Sequence, residues 1–149
     1  MISFAEIKNL LGRSEQSREI KHFLSSYQVA QPLPRPMRGD DHINIEINNH
    51  PIELRFSIDE RESISDGEMF LSTIFLFHKS FGSFKKTTEI LPIDITIDMS
   101  RDFIKKKMGD PIWSSPILNN DRWIVDGIRM LICFTDDEKS IHQIVFSKA

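Results

Sequence analysis

Few residues of this chain have the types and spacing that catalysis or metal binding needs. Asp94, Thr96 and Asp98 alternate with isoleucines. A strand would place these three side chains on one face, where two carboxylates can bind a cation or act as an acid/base pair. A polar residue at every second position is also what a strand with one solvated face requires. Both interpretations stay open.

The other reactive side chains form no recognisable site. The five histidines include no pair at the i, i+4 spacing of a helical metal site, and a single cysteine excludes a disulfide or a cysteine-based zinc site. The chain has no GxGxxG motif, no Walker-type phosphate loop and no GxSxG motif. Cys133 lies in a predicted strand, so we expect a packed or bystander thiol. We therefore expect no metal, no cofactor and no enzymatic activity.

Charge is distributed unevenly along the sequence. Residues 40–68, which we call the acidic segment, contain nine acidic residues and two arginines, a local net charge of −7 in a chain of net charge −3. The remaining residues therefore carry +4. Such a segment attracts a basic partner and accelerates its association. A solvated sheet face with acidic loops has the same composition, and that interpretation also stays open.

Two further patterns concern surfaces. Lys105, Lys106 and Lys107 lie near the end of a predicted helix, where they complement the helix dipole. No interleaved aromatic residues supply base stacking, and the net negative charge argues against a general nucleic-acid binder. Trp113 and Trp123 are candidate interface anchors, because tryptophan is enriched at binding hot spots. We expect Trp123, which lies in a predicted strand, to pack in the core instead.

Length and composition indicate one soluble domain. The chain has 149 residues, enough to bury a core that needs no disulfide or metal. No apolar run approaches the roughly 20 residues of a membrane span. The first residues lack the basic stretch and apolar core of a signal peptide. Together with the single cysteine, these features lead us to expect a cytoplasmic protein without membrane contact.

Local signals predict three helices. Ser3 and Glu6 have the spacing of a capping box, and Gly12 and Gly109 stand where helices commonly end. Between Ser17 and Tyr27, apolar residues recur at the spacing of one helical stripe. The predicted helices cover residues 4–11, 17–27 and 101–108.

Alternating apolar residues predict an antiparallel sheet. The dipeptide Asp126-Gly127 between two apolar runs is the strongest short-range hairpin signal. Residues 59–68 are charged and predict a loop. The predicted strands cover residues 43–47, 52–58, 69–78, 93–97, 121–125, 128–134 and 141–146. The sequence therefore predicts an α+β fold with helices near the N terminus.

The two halves of the chain are similar to each other. The helix that begins at Ser3 aligns with the helix that begins at Ser100 at an offset of 97 residues, with serine, isoleucine, lysine and glycine in register. We interpret residues 1–149 as one domain built from a duplicated helix–β-meander unit, with sub-units at about 1–98 and 99–149. Chance similarity between two well-capped helices is the alternative.

The second half also carries an ordered series of short motifs. They are Leu91-Pro92, Met99-Ser100-Arg101, Met108-Gly109-Asp110-Pro111, Ser114-Ser115 and Asp121-Arg122-Trp123. With residues 10–14 and 52–56, this series resembles small immunity proteins of bacteriocin (pyocin-type) and contact-dependent growth inhibition systems. A helix followed by Gly-x-Pro and a β-meander is also similar to the module of SmpA/BamE outer-membrane-assembly lipoproteins. This sequence lacks their signal peptide and lipidated cysteine.

The immunity resemblance implies a bacterial cytoplasmic protein that binds a cognate toxin domain and covers its active or substrate-binding surface. If that toxin is a nuclease, the acidic segment would imitate the phosphate charge of its substrate. The expected contact residues are Asp59, Glu60, Glu62, Asp66 and Glu68. The BamE resemblance implies a non-enzymatic assembly scaffold as the alternative. A third hypothesis is an enzyme that uses Asp94, Asp98 and a histidine.

Overall fold

The computed structural model describes residues 2–58, 67–77, 94–96 and 98–149. They form an α+β fold with a seven-stranded antiparallel sheet and helices near the N terminus, which confirms the predicted class. The helices are α1 (Phe4–Leu10), α2 (Arg18–Ser26) and α3 (Arg101–Met108). The strands are β1 (His42–Glu46), β2 (Ile52–Ile58), β3 (Met69–Phe77), β4 (Trp113–Ser114), β5 (Asn120–Val125), β6 (Ile128–Phe134) and β7 (Ile141–Lys148).

Two meanders lie side by side in the sheet. The strand order is β1-β2-β3-β7-β6-β5-β4, and every neighbouring pair is antiparallel. Helices α1 and α2 precede the first meander, helix α3 precedes the second, and β3 pairs with β7 at the centre. The division into units 1–98 and 99–149, and their origin by duplication, stay predictions.

Serine side chains begin the three helices. The hydroxyl oxygens of Ser3, Ser17 and Ser100 each accept a hydrogen bond from the backbone N–H three residues later, at 3.1, 3.3 and 3.2 Å. These bonds satisfy donors that lack a partner inside the helix. Helix α3 is followed by Gly109, whose φ of 84° favours glycine. In the part of the chain that the structure describes, no helix has the length and apolar character of a membrane crossing.

The helices pack against one face of the sheet. Ile7, Ile20 and Ile104, one from each helix, belong to the same buried cluster as the inward side chains of the strands, such as Phe56 and Phe146. Because side chains alternate along a strand, each strand sends its other residues to the opposite face. We call that opposite face the open face, since the buried residues of α1, α2 and α3 belong to the cluster on the other side.

The link between α1 and α2 pairs with the start of β3. Gly12 donates its backbone N–H to the Leu71 carbonyl, and Glu15 donates its own to the Met69 carbonyl, both at 2.8 Å. The Glu15 side chain is nearly buried, accepts a second bond from the Met69 N–H at 3.1 Å and pairs with Arg35 at 2.7 Å. This link therefore fixes the point at which the chain enters β3.

A buried ion pair fixes α3 to the sheet. Asp121 is fully buried, and its two carboxylate oxygens accept hydrogen bonds from Arg101 at 2.7 and 2.8 Å. Ser114 donates to the same carboxylate at 2.7 Å, and Arg101 also pairs with Glu138 at 2.6 Å. Burial alone raises the pKa of Asp121, but the hydrogen bonds from Arg101 and Ser114 outweigh it and leave this pKa lowered. The cluster joins α3, β4, β5 and the β6–β7 turn.

Two sequence predictions need correction. The strand predicted over 93–97 is wrong in its described part, because Asp94 has a φ of 54°, a left-handed conformation that interrupts an extended chain. Strand β4 was not predicted, since two residues carry no periodicity. Residues 59–66, which are most of the predicted loop, and His78, the last residue of the predicted third strand, lie outside the described residues.

Asp121→Asn is expected to destabilise the fold by about 3 kcal/mol at neutral pH, because it leaves the Arg101 guanidinium without its buried counter-charge. Urea unfolding measures this loss. Asp126→Asn, at an exposed turn, removes the same charge and is expected to change little.

The effect of Asp121→Asn should depend on pH. The pKa of Asp121 is lower in the folded state than its ordinary value of 3.8. Its stabilising contribution is therefore complete above that ordinary value and disappears as pH falls through the lowered folded-state pKa. Equal unfolding free energies for Asp121→Asn and Asp126→Asn at neutral pH would contradict the structural role of the ion pair.

Candidate binding surfaces

One of the five expected contact residues falls in the described part of the chain. Glu68 lies just before β3, is half-buried, and accepts a hydrogen bond from the Ser14 hydroxyl. This bond ties Glu68 to the link between α1 and α2. The four expected contact residues outside the described ranges are Asp59, Glu60, Glu62 and Asp66.

Acidic residues gather at one end of the sheet. Asp40 and Asp41 are exposed and lie just before β1. The N–H of Ile58, the last residue of β2, donates to the Asp41 carbonyl at 2.9 Å, and Ile58 pairs with Met69 at the start of β3. Asp40 and Asp41 therefore lie where the chain leaves β2 and enters β3. We call Asp40, Asp41 and Glu68 the acidic end.

A row of paired residues crosses the open face from edge to edge. Successive cross-strand partners give one residue from each strand: Glu46, Glu53, Phe75, Val145, Leu131, Arg122 and Trp113. We call this the central row. It starts with two carboxylates, is apolar in the middle, and finishes with a guanidinium and an indole.

The two carboxylates of the central row oppose each other. Glu46 and Glu53 are direct partners on β1 and β2, and like charges in that position destabilise a sheet. Partial burial raises the pKa of Glu53, and repulsion from Glu46 raises it further, while the charge of Arg55 acts in the opposite direction. Arg55 donates instead to the Asn44 side chain at 3.0 Å. Glu53 therefore stands on the open face next to a repelling neighbour.

A second row lies beside the first and contains two more arginines. This arginine row is Asn44, Arg55, Thr73, Ser147, Arg129 and Ile124. The two rows enclose a shallow groove of about 230 Å³. The guanidinium of Arg55 lies 5.2 Å from the ring centre of Phe75, and that of Arg122 lies 4.8 Å from the ring of Trp113.

The arginines of this groove lack ion-pair partners among the described residues. Among the described residues, no carboxylate lies within ion-pair distance of Arg55, Arg122 or Arg129. The Arg122 Nε is buried without a hydrogen-bond acceptor in that part of the chain. No sequence motif groups these three arginines as one site. Alternation indicates that each points away from the core, but their proximity depends on the register of several strands.

The predicted chemical residues are not arranged as expected. Asp94 and Asp98 are exposed, and the positive φ of Asp94 removes the shared strand face on which the acid/base or cation hypothesis depended. Thr96 donates its hydroxyl to the Asp98 carboxylate. Over residues 2–58, 67–77, 94–96 and 98–149, no three His, Cys, Asp or Glu side chains lie close enough to hold a metal ion.

The two tryptophans have different positions. Trp123 is buried, as predicted, and its Nε1 donates to the Gly109 carbonyl at 3.1 Å. Trp113 lies on the edge strand β4 and is 42% exposed. Other exposed apolar side chains continue that edge: Ile112, Ile117 and Leu118. Trp113 therefore remains a candidate interface anchor.

Comparisons with models of protein families, with characterised proteins and with solved structures find no match to this chain. The immunity and BamE-like resemblances rest on sequence motifs and stay predictions. What the chain does must therefore be inferred from its surfaces.

Cys133 is expected to react slowly. Its thiol is half-buried on β6, and burial raises its pKa from 9.0 to about 11. Near pH 8 the reactive thiolate is then about 100-fold rarer in the folded protein than in the unfolded chain. Iodoacetamide labelling followed by mass spectrometry should be slower by about this factor than labelling in urea. Equal rates in both conditions would show that the thiol is activated or exposed.

Proposed function

We propose that this protein is an immunity protein that binds and neutralises a cognate toxin domain in the bacterial cytoplasm. The toxin is a nuclease, and binding covers its active or substrate-binding surface. The observation that carries this proposal is the bond between Ile58 and Asp41, which sets Asp40 and Asp41 beside the end of β2 and the start of β3. Asp40, Asp41 and Glu68, which are dispersed in sequence, thereby share one end of the sheet.

The acidic end has the charge that a nucleic-acid-binding surface attracts. Lysine and arginine side chains on such a surface contact phosphate oxygens, and carboxylates compete for the same donors. Asp41 is exposed, and a hydrogen bond with His42 at 2.7 Å lowers the pKa of its carboxyl. Opposite potentials of this kind accelerate encounter and weaken as salt is added.

The proposed contact set combines the acidic end with the charged residues between β2 and β3. Glu68 contributes through its position, because its bond to Ser14 fixes the chain just before β3. Asp40 and Asp41 contribute exposed carboxylates from the opposite side of β2. The proposed toxin contacts from the intervening residues are Asp59, Glu60, Glu62 and Asp66.

A different observation favours the second candidate, a non-enzymatic scaffold of the BamE-like kind. Trp113 of the short edge strand β4 is exposed, and so are three apolar residues before and after that strand, Ile112, Ile117 and Leu118. Large exposed apolar side chains at a sheet edge are typical of surfaces that other proteins cover. A scaffold would associate with several proteins through this edge and would leave the acidic end free.

A growth assay separates the two candidates. Expression of the C-terminal domain of the adjoining large reading frame is expected to arrest a susceptible cell, and co-expression of this protein is expected to restore growth. An unrelated acidic protein of similar size serves as the control. Toxicity that persists in the presence of this protein would contradict immunity for that pair. Recovery of several envelope proteins in a pull-down would instead support the scaffold.

Charge reversal tests the contact surface. The triple variant Asp59→Lys/Glu60→Lys/Glu62→Lys is expected to weaken toxin binding by about tenfold or more and to flatten its salt dependence. The control Asp102→Lys/Asp110→Lys/Asp136→Lys changes the net charge equally at exposed positions elsewhere. Calorimetric titration at two salt concentrations gives both quantities. Unchanged binding by the first variant, or equal losses in both, would exclude Asp59, Glu60 and Glu62 as toxin contacts.

A further inference from the structure

The open face has a pattern of charge and apolar residues that is complementary to itself. Val145 occupies the middle of the central row, with three residues on each side. A two-fold rotation about an axis along β7, midway between two stacked sheets, reverses the order of the row. Glu53 of one copy then lies over Arg122 of the other, and Phe75 lies over Leu131.

We propose that two copies of this chain pack open face to open face around a two-fold axis along β7 and form a homodimer. The interface is isologous, so every contact between different residues occurs twice. This inference does not rest on the proposed toxin binding, because it uses a different part of the sheet.

Apolar side chains lie at the centre of the interface. Phe75, Val145 and Leu131 are half-buried and occupy neighbouring positions on three adjacent strands. Stacked sheets pack about 10 Å apart with their strands within about 30° of each other. At that separation the three side chains of one copy meet the same three of the other. Removal of this apolar surface from water provides the driving force for association.

Charge complementarity at the two ends of the row identifies a second copy as the occupant. Glu53 is repelled by Glu46 within its own sheet, and Arg122 has no carboxylate partner among the described residues. Stacking over Trp113 holds the Arg122 guanidinium in one orientation. In the dimer, the Glu53 carboxylate of each copy pairs with the Arg122 guanidinium of the other copy.

The arginine row is compatible with the same axis. Ser147 lies on β7 and meets its own copy, Thr73 lies over Arg129, and Arg55 lies over Ile124. No two arginines of this row are opposed. A two-fold axis perpendicular to the strands and centred on the central row would instead set each residue of that row over its own copy. Since that arrangement opposes Glu53 to Glu53 and Arg122 to Arg122, the charge pattern of the central row favours the axis along β7.

The dimer leaves the acidic end accessible. Asp40 and Asp41 lie before β1, whereas Glu46 is the last residue of that strand. An axis along the strands keeps both copies' acidic ends at the same end of the assembly, one on each side. One dimer therefore presents two acidic ends.

Sedimentation velocity over a dilution series tests the dimer. The native chain is expected to show a reversible monomer–dimer equilibrium at micromolar concentrations. Glu53→Arg and Arg122→Glu each oppose like charges at two symmetric contacts. Each is expected to weaken self-association by about 100-fold, tenfold per contact. Arg38→Glu, at an exposed position outside both rows, is the matched control and should retain the dimer.

Mixing the two variants gives the sharpest result. In a heterodimer of Glu53→Arg with Arg122→Glu, the two introduced side chains face each other and the two native ones face each other, so both contacts again join opposite charges. The variants, each monomeric alone, are expected to form a one-to-one dimer when mixed. Val145→Asp, which opposes two carboxylates on the axis, is expected to abolish the dimer without any change to Arg122.

Three results would overturn the proposal. The first is a native chain that stays monomeric over the whole dilution series. The second is a native dimer that Glu53→Arg, Arg122→Glu and Val145→Asp leave intact, which would place the interface elsewhere. The third is a mixture of the two charge variants, both folded by circular dichroism, that remains monomeric.

Discussion

The fully buried carboxylate of Asp121 imposes the constraint on which the second half of the fold depends. A buried charge is tolerated only when paired and hydrogen-bonded, and here Arg101 and Ser114 supply those bonds. Because side chains alternate along β5, the inward position of Asp121 directs Arg122 to the open face. Ser114 likewise holds β4 in place, so its neighbour Trp113 stacks against Arg122. The internal ion pair thereby determines the geometry of one end of the open face.

Charge is separated along two directions of the sheet. Along the strands, Asp40 and Asp41 lie at one end, beside the exit from β2. Across the strands, the central row passes from Glu53 to Arg122 through apolar residues. These directions define two surfaces with different chemistry, one suited to a basic partner and one suited to a second copy. A single chain can therefore use both at once.

Local chemistry was predictable from the sequence, whereas long-range register was not. The cap at Ser100 and the turn at Asp126-Gly127, where φ is 50° and 78°, depend on neighbouring residues and were predicted. The left-handed Asp94 interrupts an apparently regular alternation that carries no sign of it. The pairing of Arg101 with Asp121 and the rows of the open face need the register of several strands. Of the five acidic contact residues predicted from composition, Glu68 is the one that lies in the described part of the chain. Its hydrogen bond with Ser14 was not predicted, because the two residues are 54 positions apart in the sequence.

The central claim is that the acidic end is the surface through which this protein binds its partner. Hydrogen–deuterium exchange with and without the cognate toxin domain tests it most directly. The account predicts slower exchange for the amides of residues 40–42 and 67–68 in the complex, with no change in α3. Protection centred on α3 or β4, with the amides of residues 40–42 unchanged, would contradict it.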